Sequence, residues 1–157
     1  MALLIASARR GHERAVLRDL LDALFPYDTG VRGFVEGWSV YVETALGLEE
    51  VRRYLELLPI RNLVSVRYVL AELEAARAAE LPRELPGIVE KAGVKVSRLR
   101  VRLTSRSGWS QSMYPALVGS LRERGLLDPS GYLLAVEERG GKVLVSVVLR
   151  RWPRRRG

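Results

Sequence analysis

Apolar positions along the first seventy residues switch between two periods. Residues 3–7, Leu-Leu-Ile-Ala-Ser, read as a short buried-type strand. Over residues 12–25, Val16, Leu17, Leu20, Leu21 and Leu24 fall on one helical stripe that Pro26 ends. Residues 31–35 and 38–43 predict two strands about a turn at Glu36-Gly37, with Val40 and Val42 alternating against Ser39, Tyr41 and Glu43. A second helix is predicted over 48–58, with Val51, Leu55 and Leu58 on its face and Pro59 behind it, and a fourth strand over 65–70.

The order strand, helix, strand, strand, helix, strand is that of a ferredoxin-like split βαβ unit, which we place at residues 1–74. Residues 71–93 are rich in alanine and glutamate and then carry Pro82, Pro86 and Gly87, which predicts a helical connector over 75–93: helix, turn, and a short helix through Glu90 stopped at Gly93. It is too apolar for a floppy linker. A compact α/β core is expected over 94–151. There a strand places Leu99, Val101 and Leu103 on one face and Arg98, Arg100 and Arg102 on the other. A helix from Ser112 or Tyr114 to Arg124 follows, with Pro115 in its first turn, Met113, Leu117, Val118 and Leu121 on its apolar face, and Gly125 as cap. Residues 133–137 and 143–149 predict a hairpin about Arg139-Gly140-Gly141-Lys142, and residues 152–157 a basic tail. The whole is an α+β chain.

Charge changes the picture of the second half. The basic residues are 23 arginines and three lysines. Residues 1–93 hold 12 basic and 14 acidic side chains, net −2, whereas residues 94–157 hold 14 and 4, net +10. Such asymmetry points the second half at a polyanion, of which nucleic acid is the commonest. The absence of cysteine excludes disulfides, thiol catalysis and thiolate metal sites, and a single histidine excludes a multi-histidine centre within one chain; no metal or cofactor is expected. No run of 18 apolar residues spans a membrane and the start lacks a signal-peptide pattern, so the expected location is the cytoplasm, with no membrane partner.

The chemistry-bearing stretch is the basic strand with the loop and helix after it. Arg98, Arg100, Arg102 and Arg106 can meet phosphate bidentately, Ser107, Ser110 and Ser112 can donate hydrogen bonds near a helix N-terminus, and Trp109 can stack on a base. The alternative is an edge strand kept soluble by charge, with Trp109 a buried hinge residue. Arg9 and Arg10, between the first strand and first helix, are additional candidate RNA contacts, as are Arg150 and Arg151 and the tail arginines Arg154, Arg155 and Arg156 beside Trp152. His12 has no serine or paired carboxylate at motif spacing and reads as a surface or first-turn residue, not a general base. A small acylphosphatase-like hydrolase would use the same ferredoxin-like frame, with Arg9 and Asn62, but the loop Ser-Ala-Arg-Arg-Gly-His-Glu does not match that family's phosphate loop. No catalytic residue is assigned.

Three segments together resemble the core of a THUMP domain. They are VSRLRVRLTSRSG, then SMYPALVGSLRERG with Gly119 inside its helix, then LLDPSGYLLAVEERGGKVLVSVV. Leu127-Asp128-Pro129-Ser130 departs from the family's pattern, lacking its asparagine before the proline and its aspartate after. The segments LLIASARRGHERAVLRDL and VETALGLEEVRRYLELLP resemble the ferredoxin-like domain that accompanies THUMP, so the likeness spans nearly the whole chain. The resemblance implies tRNA binding, through the acceptor end, in the service of tRNA modification. It is similar in build to the stand-alone THUMP adaptor of tRNA cytidine acetylation. From this we expect a non-catalytic subunit that holds tRNA for a separate acetyltransferase, since no cofactor loop or thiolation cysteine is present and residues beyond 151 leave no room for a catalytic domain. A structural or regulatory ferredoxin-like oligomer, such as a homodimer, is the rival class.

Overall fold

The chain runs β1 (Ala2–Ala8), α1 (Glu13–Leu24), β2 (Arg32–Glu36), β3 (Ser39–Thr44), α2 (Leu48–Leu57), β4 (Leu63–Glu74), a 3-10 turn (Ala75–Glu80), α3 (Leu81–Ala92), β5 (Val96–Arg102), α4 (Trp109–Glu123), β6 (Tyr132–Arg139) and β7 (Lys142–Arg151). This computed structural model describes residues 1–104 and 108–151, the side chains of Arg150 and Arg151 excepted. The strands hydrogen-bond in the order β2-β3-β1-β4-β7-β6-β5. Two units divide the chain, one of Met1–Tyr68 with the residues from Val148, the other of Val69–Val147.

In the first unit, β3 lies antiparallel to both β2 and β1, and β1 antiparallel to β4, which is the ferredoxin-like arrangement expected of the βαββαβ order. Alternation sorts the strand residues into two faces: Leu4 and Ala6, Val40 and Val42, and Val66 join one cluster with Val16, Leu20 and Leu24 of α1 and Val51 and Leu55 of α2. Each fully buried leucine or valine there stabilises the fold by about 1.5–3 kcal/mol. The α1 helix approaches so closely that a Cβ on Gly33 would stand 2.8 Å from Leu17 and 2.3 Å from the Tyr41 carbonyl oxygen. Only glycine fits there. Gly37 takes a φ of 58° at the first of the two residues linking β2 and β3, the place where this kind of two-residue hairpin turn wants glycine. Trp38 is thereby carried at the tip. Beyond α1, the Asp28 carboxylate accepts the Thr44 hydroxyl at 2.7 Å and the Ala45 N–H at 2.9 Å, with Gly30 N–H at 3.1 Å. These donors, Thr44 foremost, hold its pKa below the ordinary aspartate value.

The second unit differs from the sequence expectation at three places. First, β4 continues to Glu74, because Leu73 is buried between exposed Glu72 and Glu74, a period-two pattern that overrides the helical propensity of Ala and Glu. Second, no turn interrupts residues 81–92: Pro82 sits in the first turn of α3, where its missing N–H costs nothing, and Pro86 is buried inside the helix with Leu81, Leu85 and Val89. Third, α4 begins at Trp109, so Pro115 lies inside the helix, not in its first turn.

The helix ends follow the sequence. Gly93 closes α3 at φ 71° and Gly125 follows α4 at φ 67°. Leu126 N–H reaches the Leu121 carbonyl at 3.0 Å and Gly125 N–H that of Arg122 at 3.0 Å, the paired bonds of a Schellman motif. Helix α3 packs on α4, and α4 on β5. Gly140 and Gly141, both at positive φ, make the two-residue link between β6 and β7.

Candidate nucleic-acid interface

β5 is the last strand in the sheet order and runs parallel to β6, with Leu99 opposite Leu134, Arg100 opposite Ala135 and Arg102 opposite Glu137. The alternation is clear at Leu99 and Leu103, which are buried, and at Arg98 and Arg102, which are exposed, whereas Val101 and Arg100 are both half-buried. Among the described residues, the other cations of this unit are largely spent on partners. Arg77 meets Glu80 and Glu84 at 2.7 Å each, Arg83 meets Glu80 at 3.2 Å, Lys142 meets Glu72 at 3.5 Å, and Arg124 pairs with Glu90. Lys95 donates to the Gly125 carbonyl at 3.0 Å. Neither Arg98 nor Arg102 forms an ion pair among the described residues. A strand edge with unneutralised guanidinium groups offers charge to phosphate without first breaking an internal bond.

The strand is tied to the helix by one side chain. Ser110 Oγ accepts the Leu103 N–H at 2.7 Å and donates back to the Leu103 carbonyl at 3.1 Å. Ser112 Oγ donates to the Trp109 carbonyl at 3.1 Å. Ser110 therefore holds Leu103, just past β5, against the first turn of α4, and Ser112 bonds within that turn. Trp109 opens α4, half-buried, after Gly108 at φ 73°. Arg106 and Ser107 lie outside the described residues, as do Arg154, Arg155 and Arg156 and the side chains of Arg150 and Arg151. Behind the strand, Asp128 Oδ1 accepts the N–H of Ser130 at 2.9 Å and its hydroxyl at 2.8 Å, which with the charge of Lys95 lowers its pKa. The loop so braced delivers Tyr132 N–H to the Lys95 carbonyl at 2.9 Å, setting the start of β6 against β5.

The first unit holds Arg9 and Arg10 together at the end of β1, both exposed. The Arg10 guanidinium lies 4.4 Å from the centroid of the Trp38 ring. Arg9 N–H donates to the Asn62 carbonyl at 2.8 Å, and the Asn62 amide donates to His12 Nδ1 at 3.1 Å. Asn62, the residue an acylphosphatase-like hydrolase would need to orient water, is thus engaged with the histidine. Nothing in the local sequence singles out Trp38 and Arg61. The strand register that brings them to the same end of the sheet as Arg9 and Arg10 is a long-range pairing that local patterns do not show. No helix of the described residues is long and apolar enough to cross a membrane, and no cluster of three or more His, Cys, Asp or Glu among them could hold a metal ion.

A ferredoxin-like unit followed by a unit with a basic edge strand, a helix and a glycine-linked hairpin makes this a THUMP-like α+β fold. Among solved structures, TrmN from Thermus thermophilus matches over 98% of this chain and 47% of its own, at 19% identity and a TM-score of 0.66. SMU.472, described as a methyltransferase and complexed with SAH, matches over 94% of this chain and 41% of its own, at 16% identity and a TM-score of 0.60. A 4-thiouridine synthetase in complex with RNA and bound ATP matches over 94% and 41%, at 12% identity and a TM-score of 0.51. No family model and no curated protein sequence matches the chain. The chain spans less than half the length of each of these three structures. These comparisons overturn the expectation of a non-catalytic subunit, because the fold recurs in proteins described as a methyltransferase and a synthetase. That expectation rested on the lack of a catalytic motif within a fold that, in those enzymes, makes up only part of the chain.

Proposed function

We propose that this chain binds tRNA and positions it, through its acceptor end, for a nucleotide-modification reaction. The observation that carries the reading is the basic edge strand: Arg98 and Arg102 stand exposed and without ion pairs among the described residues, while the remaining cations of the unit are largely partnered. Phosphates would meet β5, and Trp109 at the start of α4 would receive the unpaired end. Arg100, half-buried on β5, lies on the same strand. The likeness of fold to an RNA-bound 4-thiouridine synthetase supports RNA as the ligand. The names of the similar structures favour thiolation or methyl transfer as the reaction served. Acetyl transfer by a partner enzyme is the finer reading drawn from the sequence resemblance, and an acetyltransferase co-purifying with the chain would favour it.

The test is filter binding of the chain to mature tRNA and to tRNA without its 3′ terminal nucleotides, across a salt series. Tighter binding of the intact end is expected, with log Kd rising steeply with log salt through counterion release. Substituting Arg98→Ala with Arg102→Ala should weaken binding and flatten that slope by roughly 0.7–0.9 for each phosphate no longer neutralised, the fold unchanged. Equal affinity for any polyanion, or an unchanged slope in the double variant, would refute the site.

A further inference from the structure

One end of the first unit gathers a second set of RNA-binding chemistry. Ser7 of β1 stands opposite Ser39 of β3, and Ala8 opposite Leu63 of β4. The residues leaving β1, entering β3 and preceding β4 therefore emerge together: Arg9 and Arg10, Trp38, and Arg61 with Asn62. The corner is fixed and not a loose fringe. Asn62 sits at a φ of 67°, its carbonyl held by Arg9 and its amide by His12, and the buried Glu13 carboxylate accepts Gly11 N–H at 3.2 Å.

Trp38 is 65% exposed, although tryptophan is a highly buried residue on average. Arg10 covers part of its ring and leaves the rest open. A tryptophan kept only for packing would be buried, whereas here the cation–π contact with Arg10 holds an exposed ring in place. Arg9 and Arg61 are exposed at the same end of this unit and form no ion pair among the described residues. An open indole with one guanidinium over its ring and two further arginines at the same strand ends supplies what an unpaired nucleotide uses: a π surface for the base and cations for the flanking phosphates.

We infer that this corner is a second RNA contact, in which an unpaired base stacks on Trp38 and the neighbouring phosphates meet Arg9, Arg10 and Arg61. The inference rests on the RNA-binding reading above but uses residues from a different unit. In fluorescence anisotropy with labelled mature tRNA, Trp38→Ala should raise Kd roughly five- to hundredfold, the loss of one stacked base. Trp38→Phe, which keeps a π face, should bind close to the unsubstituted chain. Trp38→Ala should leave the salt slope unchanged, whereas Arg9→Ala with Arg61→Ala should flatten it by roughly 1.4–1.8, the equivalent of two phosphates.

A Trp38→Ala variant that binds like the unsubstituted chain, or a Trp38→Phe variant as weak as Trp38→Ala, would overturn the inference. The Arg98→Ala with Arg102→Ala variant, measured alongside, separates the two claims. Weakening there with no effect at Trp38 leaves the edge-strand reading standing and removes this one. Failure of the unsubstituted chain to bind tRNA removes both.

Discussion

Gly131 decides whether the basic strand keeps its place, and a single methyl group tests it. A Cβ on this residue would stand 2.5 Å from the Lys95 carbonyl oxygen, 2.6 Å from its carbon and 2.8 Å from the Val96 nitrogen. All three atoms are backbone, at the entry to β5, so no side chain can swing aside. The strand or the loop must move. Three backbone hydrogen bonds hold the same junction, from Tyr132 to Lys95, Asp128 to Val96 and Val96 to Leu126, each 2.9 Å. Overpacking of this kind costs about 1–3 kcal/mol, and one broken backbone bond adds about 0.5–1.5 kcal/mol. Gly131→Ala should therefore cost about 2–4 kcal/mol, a large share of the roughly 5–15 kcal/mol that holds a domain folded.

For a chain of this length each kcal/mol moves Tm by about 2–4 °C, so a fall of about 5–15 °C is expected by circular dichroism. Gly119→Ala is the control: it lies within α4 with nothing within 4 Å of the added Cβ, and should raise Tm by a few degrees, since alanine is favoured over glycine in helices by about 1 kcal/mol. A Gly131→Ala variant melting within about 1 °C of the unsubstituted chain would refute the close-approach reasoning, because 1 kcal/mol alone moves Tm further than that.

Two further outcomes are expected. Ser110→Ala removes both hydrogen bonds to Leu103, and should speed amide hydrogen exchange at Leu103 and weaken tRNA binding a fewfold without a change in salt slope; unaltered exchange would mean that Ser110 does not pin Leu103. Asp28, whose pKa is lowered chiefly by the Thr44 hydroxyl and the Ala45 N–H, contributes stability that is fully present above the ordinary aspartate range and is lost as pH falls through its lowered value. Asp28→Asn should thus melt lower than the unsubstituted chain at pH 7, with the gap narrowing on the acid side, and a gap that does not change with pH would count against the assignment.

Most of the first unit is legible in the sequence because its signals are local. The stripe of Val16, Leu20 and Leu24 and the alternation of Val40 and Val42 each specify an element and its buried face. The strand end at 71–74 is not legible: Ala-Glu-Leu-Glu has helical composition, and pairing in the sheet decides otherwise. The prolines of α3 and α4 mislead in the same way, since burial of Pro86 and the surrounding helix outweigh one missing hydrogen bond. Arg98 and Arg102 emerge from period two alone. Whether an arginine is left without an acidic partner depends on contacts across the fold, and so does the meeting of Arg10 with Trp38, 28 positions apart in the chain.

Heat is where the paired arginines matter. Arg77 bridges Glu80 and Glu84 while Arg83 shares Glu80, so the 3-10 turn and the start of α3 are laced by a small network of half-exposed charges. Near room temperature such surface pairs add little. Warming weakens the hydration that separated ions would regain, so the lacing holds relatively better as temperature rises. Arg77 and Arg83 are committed to that lacing, whereas Arg98 and Arg102 form no ion pair among the described residues, so a substitution in one group need not disturb the other.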